Sequence, residues 1–113
     1  MKIYEAQKFV KNFVRENKWE DTLTIDKFDH IHEELCELSS RIRYRSRSEI
    51  EKETNENKYI FEDGIGDLLF ATFRLCNQLG VDAEKSFEKS AKCIAQRYNG
   101  KRETKELNKS TIQ

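Results

Sequence analysis

Not one proline interrupts this chain of 113 residues, and its four glycines are too few to punctuate a strand-rich fold. The apolar residues recur at spacings of three and four instead of alternating with polar ones. Proline breaks helices, and a hydrophobic period near 3.6 is the helical signature, so the sequence is committed to an all-α fold. The length suits one domain with a single core, small enough to gain from partner subunits.

The stretch 28–42 states the pattern most clearly. Phe28, Ile31, Leu35, Leu38 and Ile42 form one apolar stripe that must be buried. Beside it stand Glu34 and Glu37, one turn apart, with His30 and Arg41 on the same polar flank and Glu33 further round. At about 5 Å and an effective dielectric near 20, two such carboxylates repel by about 3 kcal/mol. A cation would reverse that penalty; otherwise the pair simply solvates a helix edge.

The rest of the chain follows the same logic. A first helix is predicted over 3–16, with Ile3, Ala6, Val10 and Phe13 inward and Phe9 and Val14 widening the stripe. Trp19 falls in the connection 17–22, where it is expected to plug the end of a bundle more than to stack on a base. The second helix starts near Ile25, capped by Thr24 or Asp26. Residues 43–58 read as a solvated helix end and loop; the arginines at 43, 45 and 47 either face water or turn towards phosphate.

The third helix, 59–79, is the most apolar: Phe61, Ile65, Leu68, Thr72, Leu75 and Leu79 make one stripe, which Leu69, Phe70, Phe73 and Cys76 extend nearly all round. Such a helix is central, or faces a subunit interface as well as its own core. Asp67 is conspicuous within it, since an unpaired buried carboxylate is costly. Its expected partner is Arg74, two turns on, or a metal shared with Glu34 and Glu37. Gly80 ends this helix and Asp82 caps a fourth, 83–98, with Phe87, Ala91, Ile94 and Tyr98 inward and Lys89, Lys92 and Arg97 nearby. Residues 99–113 read as a polar tail, a frayed helix or disordered, outside a single domain of 1–98.

Twenty-one basic and twenty-one acidic residues cancel, so no global field favours nucleic acid or an anionic membrane. No apolar run is long enough to span a bilayer, and residues 1–18 carry acids unlike a signal peptide, so a cytoplasmic protein is expected. Cys36, Cys76 and Cys93, with no C-x-x-C pair, read as reduced packing residues.

Four pieces occur in a telling order: H-E-E-L-C-E-L at 32–38, G-I-G-D-L-L-F-A at 64–71, L-G-V-D at 79–82, and K-x-x-x-x-R-Y at 92–98. Together they resemble the MazG-like all-α nucleoside triphosphate pyrophosphohydrolases over roughly residues 25–98. The resemblance implies a four-helix antiparallel bundle of the MazG-like type, completed by dimerisation, with a tetramer as the larger option. It implies hydrolysis of a ribo- or deoxyribonucleoside triphosphate to the monophosphate and pyrophosphate, with Mg²⁺ or Mn²⁺ as cofactor. Glu34, Glu37 and Asp67 become expected metal ligands. Glu37 or Glu33 becomes the group that orients water, and Lys89, Lys92 and Arg97 become phosphate contacts.

One position departs from the family pattern, E-x-x-D on the third helix: the residue three before Asp67 is Gly64. Asp63, about 40° from Asp67 on the helical wheel, is the substitute at hand. The rival to an enzyme weakened at Gly64 is a non-catalytic helical oligomer or nucleotide-binding protein on the same scaffold. A di-iron carboxylate bundle needs Glu-x-x-His on two helices, and both histidines, His30 and His32, lie on one.

Overall fold

The computed structural model describes residues 1–19 and 23–101. Among these the chain is entirely helical, with α1 over Ile3–Glu16, α2 over Thr24–Ser39, α3 over Arg47–Glu56, α4 over Lys58–Leu79 and α5 over Ala83–Lys101. The expected four helices are therefore five. The addition is α3, within the stretch read as loop. Ser46 caps it: its hydroxyl accepts from the Glu49 N–H at 3.3 Å while Glu49 Oε1 accepts from the Ser46 N–H at 3.0 Å, a reciprocal box at the helix start. Those bonds hold the Glu49 carboxyl below its usual range, the Ser46 backbone N–H contributing most.

Other boundaries follow from local chemistry. α2 begins one residue earlier than expected, with Leu23 outside it and Asp26 Oδ2 accepting from the Leu23 N–H at 3.1 Å. It also ends sooner, at Ser39, and residues 40–44 turn; Tyr44 in that turn has a φ of 61°. Gly80 closes α4 with a φ of 69°, a left-handed conformation that favours glycine, and Asp82 Oδ1 accepts from the Lys85 N–H to start α5. α5 runs three residues beyond the expected Tyr98; the remainder of the predicted tail, 102–113, lies outside the described residues.

α4 is the axle. α1, α2 and α3 each pack against it, α2 most extensively, and α5 packs on α1. Gln7 meets Asn77 while Phe13 meets Phe70, so α1 and α4 run in opposite senses. Thr24 meets Gln78 while Leu38 abuts Gly64, so α2 is also antiparallel to α4. Gln7 is the local clasp, donating to Asn77 Oδ1 and the Val81 carbonyl and accepting from the Ala83 N–H.

The core is thin. Among the described residues only Val10 and Ala71 are buried apolar side chains, at 3% and 1% exposure. Phe28 and Leu35 on α2, Ile65 and Leu69 on α4, and Phe87, Ile94 and Tyr98 on α5 remain 43–63% exposed. The radius of gyration is 17.7 Å, against about 13 Å for a compact domain of this length. The sequence places inward-facing stripes on α2, α4 and α5, and a single copy covers only part of each. No described helix is long and apolar enough to cross a membrane.

The cysteines depart from their expected role. All three are free, but only Cys76 is partly buried, and burial pushes its thiol above the usual range; Cys36 and Cys93 are exposed.

Candidate functional site

Antiparallel packing of α2 on α4 brings two distant acidic segments into one cleft. Its walls are Glu34, Glu37, Leu38, Ser40 and Arg41 from the end of α2 and the turn after it, and Ile60, Asp63, Gly64 and Asp67 from the first half of α4. The cleft measures about 470 Å³, within the range of small-molecule sites. Four carboxylates named from the sequence thus share one wall-to-wall space although 26 residues separate Glu37 from Asp63.

Each side chain is held differently. His30 Nε2 donates to Glu34 Oε1 at 3.2 Å, one turn apart on α2, which orients the Glu34 carboxylate. Asp67 is exposed, so the burial cost expected of it is not incurred. Arg74 is not its partner: the guanidinium turns away, its Nη2 donating to the Trp19 carbonyl at 2.7 Å. Arg41 Nε donates to Glu53 Oε1 at 2.9 Å, and Glu53 Oε2 also accepts from Asn57 Nδ2. α3 therefore fixes a cation at the rim of an acidic cleft. Arg41 is the site residue that sequence reasoning left on a polar flank. The signal that could have found its anchor was S-x-x-E at Ser46 and Glu49, which marks α3 and so places Glu53 on a helix.

Other expected residues lie elsewhere. Glu33 is exposed and does not line the cleft, and neither do Lys89, Lys92 or Arg97, which are exposed on α5.

Gly64 of α4 sits beneath the Leu38 side chain of α2. A β-carbon built there would lie 2.8 Å from Leu38 Cγ and 2.9 Å from its Cδ1, with Cδ2 nearer still. Leu38 thus occupies the volume that the first atom of a glutamate at position 64 would need. The glycine is a packing requirement of the α2–α4 contact as much as a lost ligand.

The donor set suits a hard divalent cation, since carboxylate oxygens are its preferred ligands. The carboxylates are nonetheless splayed: among the described residues no three Asp, Glu, His or Cys side chains are gathered as a ready-made metal centre. The arrangement is an acidic cleft that an ion would have to draw together. No family model, curated protein or solved structure matches the chain. The fold and cleft define an all-helical protein with carboxylates facing across an interhelical groove.

Proposed function

We propose that this protein is a nucleoside triphosphate pyrophosphohydrolase of the MazG-like type, acting as a homodimer and weakened in metal affinity at Gly64. The observation that carries the reading is that Glu34 and Glu37 from α2 and Asp63 and Asp67 from α4 line one cleft. Glu34, Glu37 and Asp67 are the ligands the resemblance implies, Asp63 is the substitute for the glutamate absent at Gly64, and all four line the cleft.

Glu34, Glu37, Asp63 and Asp67 would hold Mg²⁺ or Mn²⁺, which when bound neutralises charge on the phosphoryl oxygens. His30 fixes Glu34 for that task. Glu37 lines the cleft and Glu33 does not, so Glu37 is assigned to orient the attacking water and take its proton. The water oxygen bonds to the α-phosphorus, the bond from that phosphorus to the bridging oxygen breaks, and pyrophosphate leaves. Arg41, held by Glu53, is the cation at the cleft able to meet a phosphate oxygen. In the dimer, Lys89, Lys92 and Arg97 are the remaining cations for the outer phosphates.

The half-exposed faces of α2, α4 and α5 support self-association, a two-fold dimer being the simplest closed arrangement. Light scattering on the eluting protein should return twice the chain mass; a stable monomer overturns the dimer. Pyrophosphate release measured across ribo- and deoxyribonucleoside triphosphates with Mg²⁺ or Mn²⁺ tests the activity. Release above an Asp67→Asn control with at least one substrate is expected, and none with any of them overturns it.

The Leu38–Gly64 contact favours one alternative, a nucleotide-binding protein without turnover. Calorimetry showing triphosphate binding in the absence of pyrophosphate release selects it.

A further inference from the structure

A second cleft, of about 270 Å³, opens where α1, the residues after it, α2 and the second half of α4 meet. Lys11, Val14 and Arg15 come from α1, Trp19 follows it, Lys27 comes from α2, and Arg74, Asn77 and Gln78 come from α4. Four of these are basic, and among the described residues that line it none is a carboxylate. In a protein whose charges cancel overall, four cations among the described residues around one concavity favour an anionic ligand there.

Arg74 is the best placed of the four. Its Nη2 is anchored on the Trp19 carbonyl and its guanidinium carbon lies 5.6 Å from the centroid of the Trp19 ring, so the fork is held in one orientation. Its Nε is buried and has no hydrogen-bond partner among the described residues. A buried guanidinium N–H left unmatched is unusual, because desolvated donors normally find acceptors. Lys27, only 5% exposed and already engaged, adds charge to the same concavity. Burial, and next the Arg74 charge, lower its pKa, with Asp26 opposing them. Trp19 is 45% exposed, with Phe13 set edge-on at 5.3 Å, so the indole still offers surface to a ligand.

We propose that this cleft binds a phosphate monoester, the phosphate held by Arg74, Lys11 and Arg15 and the organic portion resting against Trp19. The volume suits a small ester, and a guanidinium edge matches a tetrahedral oxyanion better than a point charge does. The site is separate from the acidic cleft. Arg74 lies seven residues beyond Asp67 on α4, about 10 Å along the axis, and the binding proposed needs no divalent ion.

Trp19 is the sole tryptophan, so its emission reports on this site directly. The experiment titrates the full chain, in EDTA, with inorganic phosphate and with phenyl phosphate, against sodium chloride at matched ionic strength. A saturable change is expected with both phosphates, with phenyl phosphate about fivefold tighter because it can use the indole. Arg74→Gln should weaken binding about tenfold and Arg15→Gln about threefold. Asp67→Asn should bind phenyl phosphate as the parent does, so failure here is distinguishable from failure of the acidic cleft. A response that chloride reproduces, or no saturation, overturns the proposal; equal affinity for the two phosphates overturns the role of Trp19. Should Arg74→Gln fail to fold, Arg15→Gln, at an exposed position, still decides it: unchanged affinity there also overturns the assignment.

Discussion

The acidic and basic clefts share α2 and α4, the basic one drawing on α1 as well, and they differ in charge and in enclosure. On α2, Lys27 precedes Glu34 by seven residues; on α4, Arg74 follows Asp67 by seven. Because the helices are antiparallel, both steps lead the same way, so Lys27 and Arg74 both lie about 10 Å along the helix pair from the acidic cleft. The carboxylates are exposed or half-buried, splayed, and open to rearrangement on binding. Of the cations, Lys11 and Arg15 are exposed, Arg74 is half-buried, and Lys27 is buried with its pKa depressed. A net charge of zero thus conceals two clefts whose described linings differ in sign. Composition excludes a global field but says nothing of this local separation, which the packing of α1 and α2 on α4 creates.

Asp67→Asn should give the largest effect on that contrast. If the acidic cleft does chemistry, the substitution lowers pyrophosphate release about 100-fold or more, because it removes charge where a metal would bind. Stability should scarcely change, since Asp67 is exposed and makes no ion pair among the described residues. Parallel rate measurements and thermal melts check both halves. Full activity in the Asn variant would strip the acidic cleft of its proposed role and leave the basic one as the molecule's sole candidate site.

Gly64 sharpens the comparison next, because it asks whether the acidic cleft was shaped by packing or by ligation. Gly64→Ala should destabilise the fold by about 1–2 kcal/mol, overpacking against Leu38 outweighing the better helix propensity of alanine. In a Leu38→Ala background the same change should become neutral or stabilising, a coupling that urea denaturation of the four proteins would measure. Gly64→Glu in that background, but not alone, should tighten Mg²⁺ binding. If Gly64→Glu tightens it without the Leu38 change, the steric account of position 64 is wrong.

Arg41→Gln should be smaller still. With Arg41 meeting substrate phosphate and not the reacting atoms, KM should rise about fivefold while kcat holds. A fall in kcat with KM unchanged would move Arg41 into the transition state.

How much of this could be read from the chain depends on which contact made it. α1 was legible end to end because Ile3, Ala6, Val10 and Phe13 repeat without interruption. Glu34, Glu37 and Asp67 were legible from helical periodicity and motif order as residues of one region, and Asp63 only as a stand-in for the glutamate absent at Gly64; all four line the cleft. α3 was missed because it is polar nearly throughout, and its one clear signal, the Ser46–Glu49 box, involves no apolar residue. Arg74 was misassigned for a different reason. Spacing along α4 puts it on the side of Asp67, but its destination is a carbonyl at Trp19, 55 residues earlier, and no local pattern encodes a contact of that range. The steric role of Gly64 was likewise invisible, because a glycine facing water and one beneath a leucine read alike in sequence.

Lys27 gives the smallest effect and the most direct test of the basic cleft's electrostatics. Burial, then Arg74, hold its folded pKa below the 10.5 of the free side chain, with Asp26 opposing them. Between the two values the unfolded chain binds more protons than the folded one, so stability must rise with pH through that window. Below it both states are protonated, and the folded protein carries the full cost of a desolvated cation. Lys27→Met should therefore flatten the alkaline rise in stability, the difference from the parent being largest near neutral pH and shrinking towards pH 10.5. Urea midpoints of the two proteins from neutral to alkaline pH measure it. Phenyl phosphate at saturating concentration should do to the parent what the substitution does, because a bound anion restores the lysine's charge at little cost. If the ester stabilises Lys27→Met and the parent equally at every pH, Lys27 adds nothing to the potential of that cleft, and Arg74, Lys11 and Arg15 carry it alone.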